Sequence, residues 1–465
     1  MNRRIFREYD IRGVAARDLP DAVVERLGRA LAAFFLEKDV SEVALGRDCR
    51  LSSPRLHAIV TRTFAEAGVS LRDVGVVHSP GLYFAVAHLG LDGGVMITAS
   101  HNAGEDNGFK IVHRGSTIFG AEIQRLRSLC EEGTFRIGEV RGHYAETSIW
   151  GAYVDALVAQ SRLGARRFPL VVDAGNGTGG LAAVPALQRL GFEVDALHCD
   201  PDGRFPHHHP DPTVASNLSE LRERVLGRGA EVGLAFDGDA DRLGVVDGRG
   251  RILWGDQLLL LFSRAILAEQ PGATIVGDVK CSQILFEDIK ARGGRAVMGP
   301  AGHSVVKSTM RTENAVLGGE MSGHLFFADR WYGFDDAVYA AVRFVELLSR
   351  EPRGLATLVD ELPVCYNTPE IRLACPDEVK EELVHAMRSW LRERPEVLAV
   401  SELDGARVAF DGGWALIRAS HTGPVLVLRF EAISHERLAE IRGLIETRVR
   451  ALFAERGLSL TPSAH

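Results

Sequence analysis

No cysteine pair spaced C-x-x-C occurs in this chain. Its six cysteines, Cys49, Cys130, Cys199, Cys281, Cys365 and Cys375, are scattered singly. That leaves no zinc knuckle and no disulfide framework, so reduced thiols in a cytoplasmic setting are expected. Long apolar runs are missing as well. No stretch of about 18 uninterrupted apolar residues occurs, and the opening MNRRIFREYD carries basic residues without an apolar h-region. A soluble protein with no membrane partner is the expectation. Positive charge is not in surplus either, since 54 Lys and Arg face 62 Asp and Glu for a formal net charge of -8. Such a chain has no basic field for nucleic acid, and any anionic ligand must be held locally. Short-period repeats and low-complexity tracts are absent, which removes solenoids and linkers.

What is present is an ordinary globular mix, 46% apolar and 25% charged over 465 residues, long enough for roughly three or four domains. Strand-like runs alternate with amphipathic helical ones, as in VALG, then PRLHAIVTRTFAEAG, then VVHS, which is α/β layering. A break falls between Gly142 and Trp150, before FPLVVDAGNGTGG opens a fresh strand, glycine turn and helix. GDQLLLLFSRAILAEQP starts another helix with Asp256 in its first turn. From about Leu362 the pattern changes to a helix, two strands facing across SHTGP, and a closing helix, an α+β unit. The expected fold is therefore three α/β domains with a C-terminal α+β domain, at residues 1–148, 149–250, 251–362 and 363–465.

The sharpest chemical signal is DGDADR, where Asp237, Asp239 and Asp241 alternate with Gly238 and Ala240 between the apolar runs VGLAF and LGVV. In extended backbone alternate side chains share a face, so three carboxylates would converge and suit a hard cation such as Mg²⁺. An EF-hand fails, because its sixth position would be Arg242 and its twelfth Gly248. An acidic solvated turn is the plain alternative, and the flanking strands weigh against it. The second signal is Ser100, in TASHN directly after an apolar run. A hydrolase would want G-x-S-x-G, and neighbours such as Ser100 and His101 rarely line up as nucleophile and base. A serine capping its own turn is the plain alternative. Lys110 ends the same loop, able to neutralise phosphate or to move a proton if burial lowers its pKa.

Two further loops are donor-rich. GGEMSGH packs Glu320, Ser322 and His324 among glycines, offering carboxylate, hydroxyl and imidazole to a polyhydroxylated ligand. RASHTGP offers Arg418, Ser420, His421 and Thr422 to a phosphate. Plain glycine and hairpin turns would account equally for either string alone. Gly175, Gly177 and Gly180, with Asp200 about twenty residues on, formally satisfy a dinucleotide fingerprint, but glycine turns open many βα units and that reading leaves the aspartates unexplained. The run His207 to His209 cannot turn three consecutive rings to one ion in regular backbone, so a polar loop is expected.

Taken together, in this order, TASHN, DGDADR, GEMSGH and RASHT resemble the α-D-phosphohexomutase family and its phosphomannomutase/phosphoglucomutase branch. GRDCRLSS, GHSVVK and YNTPEIR add to the likeness, which covers nearly the whole chain. The resemblance implies four domains around a central cleft, the last a mobile cap. It implies a phosphoserine at Ser100, with Asp237, Asp239 and Asp241 joining it around Mg²⁺ and Arg242 neutralising the phosphoryl group. Tyr9, Arg12, Lys110, Lys280 and His303 would line the cleft, Lys110 and His303 moving protons. Glu320, Ser322 and His324 would meet the sugar, and Arg418, Ser420 and Thr422 the distal phosphate. The implied activity is interconversion of hexose 6- and 1-phosphates, of mannose and also glucose, through a bound hexose 1,6-bisphosphate, by a cytoplasmic monomer. A glucosamine phosphate mutase and a non-catalytic sugar-phosphate binder are the alternatives. Ala103 and Asp106 stand where the family usually has Pro and Tyr, His421 and Gly423 where it has Asn and Glu.

Overall fold

The computed structural model describes residues 1–135, 138–420 and 423–459. The strands Glu42–Arg47, Ser70–Val76 and Gly93–Ile97 are joined through the helices Ser53–Ala67 and Ser79–His88, and such crossovers make their pairings parallel. Between Gly93–Ile97 and Asp106–His113 there is no helix, so those two pair antiparallel with Met96 opposite Lys110. Ile11–Val14 then adds antiparallel to the outer edge. The result is a mixed sheet of seven strands.

The same event recurs in the other three sheets. In a five-stranded sheet, Val232–Phe236 folds straight back as Leu243–Asp247. In a four-stranded sheet, Leu317–Gly319 returns as Leu325–Phe327. In a six-stranded antiparallel sheet, Gly413–Ala419 returns as Val425–Ala432. Each chemistry-bearing string of the sequence is thus the hairpin connection of one sheet, carried on strands whose residues are almost all buried. Hairpin loops on buried strands are held rigidly at their roots, which is how a loop presents side chains at fixed positions.

The expected α/β, α/β, α/β, α+β order is what the chain adopts. The first unit keeps a core of its own around Leu27, Phe35, Phe64 and Phe109, but the three units also share one. One apolar cluster runs from Leu82 and Met96 through Leu170 and Leu234 to Leu259, Phe327 and Val338. The helix Ala337–Arg350 is buried nearly all round, as a helix in the middle of a large core must be. Its Arg343 is matched by Asp329 at 2.8 Å, and its Glu346 by Arg330 at 2.6 Å. The last unit has its own core around Leu383, Met387, Phe430 and Ile445, and meets the rest through the small cluster Val279, Ala301, Trp414 and Leu416. Among the described residues, no helix is long and apolar enough to cross a membrane.

Candidate active site

Ser100 sits at the apex of its hairpin with φ of 50°, a left-handed conformation that a non-glycine residue holds only where its surroundings impose it. Its N–H donates to Thr98 Oγ1 at 2.9 Å, and its hydroxyl donates to Asp237 Oδ2 at 2.6 Å. His101 Nδ1 also comes within 3.1 Å of Ser100 Oγ. The two chain neighbours are thus within hydrogen-bond distance, but the shorter contact of the hydroxyl is with Asp237 rather than with the ring. The serine is almost wholly buried, with 3% exposure.

The carboxylates of Asp237, Asp239 and Asp241 are buried and gathered within 4.8 Å of one another. They do not converge by alternating along a strand. Residues 237–241 form a tight turn in which Ala240 has φ of 53° and Asp237 Oδ1 accepts the N–H groups of Asp241 and Arg242 at 3.0 and 3.1 Å. The turn is pressed against its neighbours. A Cβ on Gly238 would meet the Ser100 carbonyl oxygen at 2.5 Å, and one on Gly177 would meet the Gly238 carbonyl oxygen at 2.6 Å, so the glycines of GNG and DGD let three backbones stack. That packing accounts for the dinucleotide-like spacing.

Burial and the two neighbouring carboxylates push the Asp237 carboxyl well above its ordinary range. Burial acts on Asp241 in the same sense, but the Lys110 and His324 cations outweigh it and hold Asp241 well below. Lys110 Nζ lies 2.7 Å from Asp239 Oδ2 and 2.5 Å from Asp241 Oδ2. Burial would lower this lysine, yet the two carboxylates raise it well above its ordinary value, so it is an ammonium. Asp239 Oδ1 has no hydrogen-bond partner among the described residues. Asp241 Oδ1 has none either and faces only the His324 ring, so three buried carboxylates with two such oxygens and a serine hydroxyl at their edge form an all-oxygen donor set, and it fits a hard divalent cation.

The GEMSGH hairpin closes the other side. His324 Nε2 is 3.2 Å from Asp241 Oδ1, and its Nδ1 is 2.9 Å from Glu320 Oε2 and 3.1 Å from Ser322 Oγ. Burial disfavours the charged ring, but Asp241 and Glu320 override it and raise its pKa to about 9. Arg242 Nε lies 3.4 Å from His324 Nε2. Glu320 also accepts the Gly302 N–H at 2.7 Å. His303 stacks on His324 with ring centres 5.6 Å apart and meets Tyr9 edge-on at 5.9 Å. Burial, then the Lys307 charge, lowers its pKa.

The cap loop reaches the same place. Arg418 Nε donates to Asp404 Oδ2 at 2.9 Å, and that oxygen also accepts the Ala301 N–H at 3.0 Å. Tyr9 donates its hydroxyl to the Ala301 carbonyl at 2.8 Å. Lys280 lies 3.6 Å from both Asp278 and Glu370. Arg12 Nη1 holds Asn102 Oδ1 at 2.7 Å, beside Ser100. Ser420 is buried, and its carbonyl accepts from Lys380 Nζ at 2.5 Å. Thr422, with His421, lies outside the described residues. Tyr9, Arg12, Lys110, Arg242, His303, Glu320, Ser322, His324 and Arg418 are linked by these contacts to the Ser100 loop or to the His324 hairpin, whereas Lys280 and Ser420 are held by Asp278, Glu370 and Lys380.

Sequence reasoning missed several partners. Ser79, the first residue of the helix Ser79–His88, donates its hydroxyl to Asp239 Oδ2 at 2.5 Å. Asp335 faces His303 Nδ1 at 3.2 Å and Lys307 Nζ at 2.8 Å. Asp404 ties Arg418 to the His303 loop. None stands in a telling string; each matters only for what the fold places beside it.

Residues 3–137, 151–250, 254–366 and 370–447 match, in turn, the models of the phosphoglucomutase/phosphomannomutase alpha/beta/alpha domains I, II and III and of the C-terminal domain. A phosphoglucomutase of Neisseria gonorrhoeae is 42% identical over 447 residues, 95% of this chain and 96% of the relative. A phosphomannomutase/phosphoglucomutase of Pseudomonas aeruginosa is 40% identical over 451 residues, 96% of each. A crystal structure of a phosphoglucomutase/phosphomannomutase family protein from Burkholderia thailandensis superposes with a TM-score of 0.91 at 39% identity, covering 99% of both chains. The likeness therefore runs through all four hairpin loops.

Proposed function

Because the chain belongs to the phosphoglucomutase/phosphomannomutase family, we propose that it interconverts hexose 6-phosphates and hexose 1-phosphates, of mannose and also of glucose. The group carried is a phosphoryl on Ser100, and the intermediate is a bound hexose 1,6-bisphosphate. The observation that carries this reading is the Ser100 hydroxyl 2.6 Å from Asp237, at the rim of three gathered carboxylates.

Asp237, Asp239 and Asp241, with the Ser100 oxygen, would hold Mg²⁺. When bound, that ion supplies charge neutralisation for the phosphoryl oxygens. Arg242 adds a fixed guanidinium on the His324 side. Glu320, Ser322 and His324 offer acceptors and donors to sugar hydroxyls, and Arg418 and Ser420, with Thr422, take the phosphate that is not reacting. The phosphoryl group leaves Ser100 Oγ for the free C1 or C6 hydroxyl as that hydroxyl gives up its proton. The bisphosphate turns end for end, and the other phosphate returns to Ser100. His303, whose pKa is lowered, is the assigned proton acceptor, whereas Lys110, held as an ammonium by Asp239 and Asp241 rather than lowered by burial, compensates phosphoryl charge and can only give a proton up. Alignment and charge compensation account for most of the acceleration such a transfer needs, and the enzyme works as a monomer on small-molecule substrates.

Mass spectrometry of the purified chain, with coupled assays on mannose, glucose and glucosamine 1-phosphates, tests this directly. One phosphoryl group on Ser100 and Mg²⁺-dependent turnover of the first two sugars are expected. Binding of hexose phosphate without interconversion, even after priming with a 1,6-bisphosphate, would overturn it.

A further inference from the structure

GRDCRLSS contains an arginine that the reading above does not use. Arg50 follows the strand Glu42–Arg47, and none of its surface is exposed. A guanidinium has five N–H donors in a planar fork, and here all five have acceptors. Nε donates to Asp48 Oδ2 at 3.1 Å. Nη2 donates to the carbonyls of Ser100 and Asn102, both at 2.7 Å. Nη1 donates to the carbonyl of Asp106 at 3.1 Å and to that of Ala103. Four carbonyls of one hairpin loop thus point inward at a single cation.

The arginine is itself anchored. Asp48 accepts the Arg50 N–H at 3.0 Å and the Ser53 hydroxyl at 2.5 Å. Phe205, from the second unit, lies under the guanidinium at 5.1 Å, and Arg50 bridges in parallel to Gly203. The second unit also carries Asp237, so the guanidinium stands between the serine loop and the body that holds its partner carboxylate.

We propose that Arg50 is a positioning residue for phosphoryl transfer: by gathering the carbonyls of Ser100, Asn102, Ala103 and Asp106, it holds Ser100 in its left-handed conformation and keeps Oγ facing Asp237. The proposal rests on the reading of Ser100 as the phosphoryl carrier. Arg50 touches neither substrate nor reacting atoms. It acts through the backbone, and a displacement of about 1 Å at a reacting group lowers turnover about a hundredfold.

The test is Arg50→Lys, which keeps charge and stem but offers three donors in place of the planar fork. The expected result is a folded protein whose kcat falls about a hundredfold, while KM for mannose 1-phosphate stays within about twofold, since the groups that hold the sugar are elsewhere. Hydrogen exchange should speed up in residues 99–106 and not in the strand Gly93–Ile97. Arg50→Ala should regain turnover when guanidinium chloride is added at a non-denaturing concentration. Unchanged kcat and unchanged exchange would overturn the proposal, as would a fall in thermal stability with uniform exchange and no recovery by guanidinium. If the wild type shows no mutase activity, the reading of Ser100 fails, and exchange at 99–106 still decides whether Arg50 fixes the loop. Should Arg50→Lys not fold, Phe205→Leu leaves all five acceptors and removes only the aromatic face. It should lower kcat about threefold with KM unchanged, and no change would count against the proposal.

Discussion

At the scale of single residues, the site is a compromise between charges that repel and a fold that forces them together. Asp237, Asp239 and Asp241 are all buried, and Lys110 is the cation that two of them share. Asp239→Asn should remove one charge without changing shape, so the Mg²⁺ concentration for half-maximal activity should rise about tenfold or more, as affinity for hard cations follows ligand charge. A Mg²⁺ titration of turnover reads this out. Ser100→Ala deletes the hydroxyl proposed to carry the phosphoryl group and should lower kcat by at least about a thousandfold with an unchanged circular dichroism spectrum. Appreciable turnover would take Ser100 out of the chemistry. Two of the residues that depart from the family pattern, Asp106 and Ala103, find local partners. Asp106 Oδ2 accepts from Asn102 Nδ2 at 2.8 Å, and the Ala103 carbonyl is one of those that Arg50 gathers.

At the scale of elements, each functional string is a return loop between two antiparallel strands, and the helix Ser79–His88 begins beside them. His78 caps that helix, its Nδ1 accepting the Gly81 N–H at 2.5 Å, with the rings of Trp150 and Tyr153 packed edge-on. Burial lowers its pKa from 6.5 to about 4. The unfolded chain therefore takes up a proton on this ring below pH 6.5 while the folded one does not until about pH 4. The contribution to stability is full above the higher value and is lost as the pH falls between the two. Asparagine can accept the same N–H and does not titrate. His78→Asn should therefore shrink the loss of urea-unfolding free energy between about pH 7 and about pH 5 by on the order of 2 kcal/mol. An acid profile identical to that of the wild type would contradict this assignment.

At the scale of the whole molecule, one apolar core unites the first three units while the last keeps its own. Scanning calorimetry should resolve two transitions, since separately cored bodies need not unfold as one. Arg407 is a main link between them. Its Nη1 donates to the carbonyls of Val279 and Cys281 at 2.6 and 2.9 Å, either side of Lys280, and its guanidinium lies 3.8 Å over Trp414. Arg407→Met should destabilise the C-terminal transition by about 1 to 3 kcal/mol and leave the other in place; a uniform shift of both would argue for a single cooperative body. The sequence alone determined the layering, the hairpin strings, and the identities of Ser100 and the three aspartates, because apolar periodicity and clustered acidic or hydroxyl side chains are local properties that a short window records. Only the tertiary structure decided that the aspartates meet through a turn, that Ser79, Asp335 and Asp404 belong beside them, and that Arg50 braces the serine loop. Those roles arise from separations of tens to hundreds of positions closed to a few ångströms by packing, and no single stretch of chain carries that information.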